Sequence, residues 1–334
     1  MSARSGGSAY ARYVCLPLEY AGAGYFCSYV LGLFVAMLAR IPALSILTSI
    51  AHVLSADSIL IGAVIGAAVS LAFETLPVCV LSAAVAGAIG YSFAGFLTAI
   101  LASYACALLA HFVAGKTRAD ILLIPIVCTA GGILCALLLA EPINRLYALC
   151  AQLLIRCTAL PTFLAYTAIA ALAALYCVTP LSMFTIASAL TAGGLSGAAF
   201  IGCCAAMVSF AAASYRDNGL CIALSHALGT PRLQMGNLMK NPLILLCPLI
   251  SAALGGLCAG AFGFTCAPSA IAPALTMLGG VAEVLSALPT SEWLFSLGKI
   301  AVCAVGVPLL VTIPMNRMLR ATRAMANAPM RVDF

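Results

Sequence analysis

Charge is absent from three long stretches of this chain, Thr75–Ala110, Cys157–Tyr215 and Asn241–Ala282. A helix crossing the roughly 30 Å hydrocarbon core of a bilayer needs about 20 apolar residues, so each stretch has room for two or three crossings. Shorter candidates are Phe26–Val53 (interrupted by Arg40 and Pro42), Ser58–Phe73, Ile121–Ala140 and Ile300–Pro314. The pattern predicts an all-α polytopic membrane protein of about 8–10 transmembrane helices, some of them broken or re-entrant. Segments of alternating polarity, which would mark a transmembrane β-barrel, are missing.

Composition narrows this to an integral membrane protein. Only 7% of the residues are charged and 64% are hydrophobic, against about 25% charged in a soluble domain. The N-terminal "MSARSGGSAYARYVCLPLEYAG" has no apolar core beside its charges and does not read as a cleaved signal peptide. Basic marks recur at Arg4 and Arg12, at Lys116 and Arg118, between Arg216 and Lys240, and at Arg317, Arg320, Arg323 and Arg331, the last group against a single Asp333. The positive-inside rule assigns all of these, and both termini, to the cytoplasm. Ile121–Tyr215 then holds two or four crossings, because "RLYALCAQLLIR" (Arg145–Arg156) reads equally as a surface helix or as part of a span. Three regions follow: a cytoplasmic N-terminal segment 1–24, a transmembrane domain 25–315 and a basic cytoplasmic tail 316–334.

Candidate chemistry is sparse. The 16 cysteines are scattered through apolar segments, with one adjacent pair (Cys203, Cys204) and no CxxC, so they read as small hydrophobes and not as metal ligands. Gly62 and Gly66, Gly193 and Gly197, and the glycines of "GGLCAGAFG" are spaced for close helix packing. The functional alternative is that "TAGGLSG" (Thr191–Gly197) and "AGAIGYSFAG" (Ala86–Gly95) are unwound and face a substrate cavity, as in many transporters. There is no P-loop, GxSxG, HExxH or dinucleotide fingerprint, so no cofactor is expected and no catalytic residue is assigned.

Ionisable residues at membrane depth are costly, which directs attention to them. Glu74, in "LAFETLPVC", precedes Pro77, where the helix is expected to break. Glu283, in "GGVAEVLSALP", has a similar context, and either carboxylate can accept hydrogen bonds from sugar hydroxyls; the competing reading is an interfacial or interhelical glutamate. Glu141 is expected to end a helix beside Arg145; Arg40 either snorkels or holds an anionic group; His52 and His111 read as structural. The densest polar cluster is "SYRDNG" (Ser214–Gly219) with "SHALGTPRLQMGNLMKNP" (Ser225–Pro242). Asn218, His226, Gln234, Asn237 and Asn241 suit sugar hydroxyls because each side chain offers donors and acceptors. Arg216 and Lys240 suit a phosphoryl group or a phosphorylated partner. An ordered connecting loop explains the same cluster as well.

The run "AFIGCCAAMVSFAAASYRDNG…LGTPRLQMGNLMKNPLIL", with "ARIPALSIL" (Ala39–Leu47) and "KTRADILLIPI" (Lys116–Ile126), resembles the phosphotransferase-system EIIC-like membrane family that includes the perfringolysin O regulator. The resemblance rests on Gly202, Cys203, Cys204 and Met207, on Ser214, Tyr215, Arg216 and Asn218, and on Leu228–Thr230, Leu233, Gln234, Asn237 and Lys240–Pro242. It covers about residues 25–315. Ala206 stands where the family has Gln, and the glutamate loop motif of glucose-type EIIC proteins is not evident.

What this resemblance implies is a multi-pass protein of the bacterial inner (cytoplasmic) membrane. Such a subunit binds a sugar at the midplane, carries it inward and presents it to a separate phosphorylated EIIB supplied by EIIA. Any sugar phosphotransferase activity would then exist only together with those partners. A homodimer in the lipid bilayer is also implied, and no nucleic-acid partner is expected. The alternatives are an EIIC-like sensor or regulator without phosphotransfer, and a secondary transporter of a small solute using Glu74 or Glu283.

Overall fold

The computed structural model describes residues 9–116, 119–322 and 330–332. Arg4, Arg118, Arg323 and Asp333 lie outside the described residues. Among the described residues there is no strand, only an isolated bridge between Gly193 and Cys266. Among the described residues six helical stretches are, by length and composition, apolar enough to cross a membrane: Ala11–Ala39, Pro77–Val113, Asp120–Thr158, Gly194–Gly229, Pro242–Ala261 and Thr290–Ala321. Three shorter apolar helices, Ile59–Ala72, Thr162–Val178 and Met277–Ser286, lie among them. The all-α polytopic class read from the sequence is the one observed. Outward-facing Ile121, Leu122, Leu134, Leu138 and Leu149 give the Asp120–Thr158 helix an apolar exterior suited to lipid tails.

The helix Pro77–Val113 is in fact a hairpin. Ala94 (φ −148°, ψ 31°) and Gly95 (φ 72°, ψ −144°) break it near its middle. A positive φ is cheap only for glycine, which places the turn at Gly95. The two arms then pack antiparallel, with Ser103 Oγ donating to the Ala83 carbonyl at 3.4 Å. Ile59–Ala72 lies against the first arm. A Cβ on Gly62 would sit 2.4 Å from the Gly87 carbonyl, so the paired glycines are there for close approach, as their spacing predicts. Of the stretch Thr191–Gly197, offered as the unwound alternative to close packing, only Thr191–Gly193 is non-helical, and the Gly194–Gly229 helix begins directly after it.

That helix is the core of the bundle. Phe200, Ile201, Cys203–Met207 and Phe210 are fully buried, and Cys203 Sγ donates to the Ala173 carbonyl, so the adjacent cysteines pack as small hydrophobes. Ser209, Ser251 and Thr312, one from each of three helices, share buried hydroxyl contacts of 2.7 and 2.9 Å and tie them together.

Contacts define two ends. At one, Tyr10 Oη donates to the Met239 carbonyl at 3.1 Å, Lys240 Nζ lies 3.9 Å from Glu19, and Tyr13, Phe73 and His111 stack in sequence. At the other, Arg40 pairs with Glu283 and Lys299 Nζ donates to the Gly263 carbonyl.

Three local expectations are corrected. Pro77 does not break a helix: the preceding one has ended at Ala72 and Pro77 opens the next. Glu141 does not end a helix but lies inside Asp120–Thr158, paired with Arg145 at 3.0 Å, and that helix runs on through Arg156. "SYRDNG" is not a loop; it is the end of the helix that starts at Gly194, which is broken at Gly219 (φ 74°, ψ −174°) before helical structure resumes.

Candidate functional site

The polar cluster read from the sequence assembles at the Lys240 end, and what it holds is the chain's own tail. His226 Nδ1 meets the Ile222 carbonyl at 2.6 Å, which fixes the proton there and leaves Nε2 to accept from Gln234 Nε2 at 3.0 Å. Gln234 Nε2 also reaches the Met330 carbonyl (3.1 Å), and its Oε1 accepts from Asn237 Nδ2 (2.9 Å). Asn237 Nδ2 donates onward to the Arg331 carbonyl (2.9 Å), while its Oδ1 accepts from Lys240 Nζ (3.2 Å). Asn218 bonds the tail from both amide atoms, donating to the Met330 carbonyl at 2.6 Å and accepting from the Val332 amide at 2.9 Å. Asp217 Oδ2 accepts from the Met330 amide (3.0 Å) and from Arg320 (2.7 Å). The tail side chains complete the clasp, with Met330 fully buried against Val178, Phe210, Ala213, Leu238 and Ile244. His226, Gln234 and Asn237 are at most 2% exposed.

The remaining sequence candidates lie elsewhere. Asn241 caps the turn that opens Pro242–Leu245, its Oδ1 accepting from the Leu243 amide at 3.0 Å. Arg216 is exposed and, with Arg317 and Arg320, lines a basic hollow of about 290 Å³. Glu74 is exposed in the turn between Ile59–Ala72 and Pro77–Val113, held at φ 53°, and lines none of the cavities described here. Glu283 accepts from Arg40 at 2.7 Å and walls a cavity of about 430 Å³ with Gly193 and Cys266. The structure therefore does not bring Glu74 and Glu283 together, nor either of them to the amide cluster.

A different residue stands out between the two ends. Arg232 is 1% exposed, and its guanidinium carbon lies 4.5 Å from the ring centroids of both Tyr25 and Phe96. Nη2 donates to the Leu181 carbonyl at 2.7 Å, but Nε is buried with no partner among the described residues. No ion pair to Arg232 occurs among the described residues. Arg232 forms one wall of a cavity of about 400 Å³, together with Tyr25, Asp57, Tyr91, Ser92, Gly95 and Ser182. The hairpin turn at Gly95 thus opens onto this cavity. Ala56 and Phe184 are shared with a neighbouring, mostly apolar cavity of about 540 Å³ that reaches Leu33, Ala36 and Pro273.

The sequence explains why Arg232 sits there. Thr230 Oγ1 accepts from the Arg232 amide and opens the short turn Pro231–Gln234. Gly22 lets the first helix lie directly on it, since a Cβ at Gly22 would be 2.4 Å from the Arg232 carbonyl. Sequence reasoning gave Arg232 no role. The available signal was that it is the single arginine or lysine between Gly219 and Met239, in the midst of the motif that carries the resemblance.

A family model described as phosphotransferase system, EIIC, matches residues 18–331, nearly the whole chain. The chain belongs to the phosphotransferase system EIIC family. Neither a curated protein nor a solved structure matches it. In this EIIC protein the matched stretch takes in the first helix from Leu18, the Arg232 cavity and the clasped residues Met330 and Arg331. Membership of the family makes the chain a permease-type, multi-pass membrane subunit of that system.

Proposed function

We propose that this EIIC protein binds a small polyhydroxy solute in the cavity walled by Arg232 and carries it across the bacterial cytoplasmic membrane. At the Lys240 end it hands the solute to a separate EIIB for phosphorylation. The observation that carries the reading is the cavity itself. A helix broken at Gly95 and a polar wall of Asp57, Tyr91, Ser92, Ser182 and Arg232 meet at it, inside an EIIC chain. Irregular backbone at membrane depth is tolerated where it lines a cavity.

Orientation follows from charge. Arg12, Lys116, Arg216, Lys240, Arg317 and Arg320 belong to the Lys240 end, which the positive-inside rule assigns to the cytoplasm together with both termini. The exposed Arg216 and Arg317, beside Arg320, supply a basic rim suited to a phosphorylated EIIB. Phosphoryl transfer depends chiefly on positioning and charge stabilisation, so the chain's part is to hold the solute hydroxyl at that rim. The working unit in this reading is a homodimer in the bilayer.

One observation favours a second reading, a sensor or regulator without phosphotransfer: the amide cluster grips the chain's own tail instead of standing open to a partner. Uptake of labelled sugars and sugar derivatives by cells with and without a working phosphoenolpyruvate relay separates the readings. Relay-dependent accumulation that requires this chain supports the permease. Regulation of other genes with no accumulation supports the sensor, and uptake driven by a proton gradient supports a secondary transporter.

A further inference from the structure

An arginine enclosed at membrane depth without an anion is a problem that the rest of the fold does not solve. Taking an ion out of water is costly even after relaxation, and the cost is offset only by a good counter-charge with its hydrogen bonds satisfied. Tyr25 and Phe96 contribute cation–π attraction, which offsets only part of that cost. The Leu181 carbonyl satisfies one donor. Nε is left without an acceptor among the described residues, and no carboxylate there pairs with the guanidinium. Asp57 is the acidic residue on the same cavity wall, but it is exposed and forms no ion pair with Arg232 among the described residues.

Another buried polar atom without a partner lies on the same arm as Phe96. Among the described residues Thr98 Oγ1 is also buried without a partner. Thr98 is two residues from Phe96, on the arm that starts at the Gly95 turn, whereas Tyr147 Oη accepts from the Leu97 backbone amide and is not left without a partner. Buried polar groups are nearly always satisfied, so the unpartnered Nε of Arg232, on the wall of this cavity, points to a missing acceptor.

We propose that the Arg232 cavity is an oxyanion site, where the small polyhydroxy solute it takes carries a carboxylate or phosphoryl group that pairs with the Arg232 guanidinium. The inference rests on the reading of this cavity as the solute site and names the chemistry of what enters it. The guanidinium presents donors in a fixed fork that matches a carboxylate or phosphoryl group, and Tyr25 and Phe96, packed edge to face beside it, hold that fork still. The oxyanion supplies the counter-charge that the fold withholds. Asp57 then acts against indiscriminate anion entry, because a like charge on the wall opposes ligands that offer no hydroxyls in return.

The test uses the full chain purified in detergent and matched ligand sets for several hexoses and pentoses. Each set contains the neutral sugar, its aldonic and uronic acids, the methyl ester of the uronic acid and the sugar phosphate. Thermal stabilisation followed by equilibrium titration reads the affinities. The expected result is that an acid or a phosphate stabilises the protein, with its neutral counterpart binding at least about tenfold more weakly. Stabilisation by acids assigns the charge to the solute taken up; stabilisation by phosphates alone assigns it to the phosphorylated product.

Arg232→Gln is expected to abolish the discrimination, and Asp57→Asn to tighten the anionic ligand severalfold. Asp57 is exposed, so that variant decides the matter even where Arg232→Gln does not fold. Neutral sugars binding as well as their acids, or discrimination that survives Arg232→Gln, overturns the oxyanion site while leaving the permease reading intact. Silence from every set, with a cooperative melt of the unliganded protein, overturns both.

Discussion

Asn218 and Met330, far apart in the chain, are joined by a 2.6 Å hydrogen bond from the Asn218 amide to the Met330 carbonyl. The same side chain accepts from the Val332 amide at 2.9 Å, so it pairs with the tail backbone much as a neighbouring strand would. Because these bonds address backbone and not side chain, they hold the tail by shape and register, and burial of Met330 fixes which residue sits in the pocket.

Asn218→Ala removes two of these bonds and is expected to cost about 1–3 kcal/mol, since it leaves the Val332 amide without a partner and the Met330 carbonyl with Gln234 alone. Limited proteolysis is the check: the variant loses its C-terminal residues faster than the parent, and Met330→Asp, which forces a carboxylate into an apolar pocket, loses them faster still. Solute binding by Asn218→Ala persists, in contrast to what a direct sugar contact at this residue requires. Loss of binding with the tail still protected would return Asn218 to the solute site.

At Gly22, any side chain meets the Arg232 backbone: a Cβ would lie 2.4 Å from the carbonyl oxygen and 2.9 Å from its carbon. Gly22→Ala therefore displaces the Pro231–Gln234 turn at an expected cost of about 1–3 kcal/mol. A lowered melting temperature accompanied by weaker solute binding is the predicted pair of effects. A lower melting temperature with unchanged affinity would separate the turn from the cavity.

The Arg40–Glu283 pair, at 2.7 Å, has side chains 46% and 31% exposed. Ion pairs this accessible contribute about 0–1 kcal/mol. Arg40→Ala and Glu283→Gln should each leave the melt close to the parent and should not change solute affinity. A large loss of binding in Glu283→Gln alone would move the solute site to the cavity that Glu283 walls with Gly193 and Cys266.

Much of this architecture was legible in the sequence because lipid imposes a length rule on apolar runs. The breaks near Gly95 and Gly193 were also legible, as glycine-rich interruptions in those runs. Helix extent was not. Asp217 and Asn218 looked like loop residues because polar groups usually end a span. Here the helix continues to Gly219, its polar groups satisfied by Arg320 and the Met330–Val332 backbone, which no local pattern announces. The amide cluster was found as a group, but its occupant was not, since the tail comes from the far end of the chain. Arg232 was visible yet uninterpreted because Tyr25, Phe96 and Leu181, which give it meaning, come from three distant segments.

The central claim is that solute binds in the cavity between Arg232 and the Gly95 turn. Ser92→Trp and Ser182→Trp fill that cavity from two different walls. Equilibrium binding of the solute that most stabilises the purified parent tests it most directly. The account predicts saturable binding by the parent and its loss in both variants, with their unliganded melts unchanged. Parent-like binding by both tryptophan variants would contradict it.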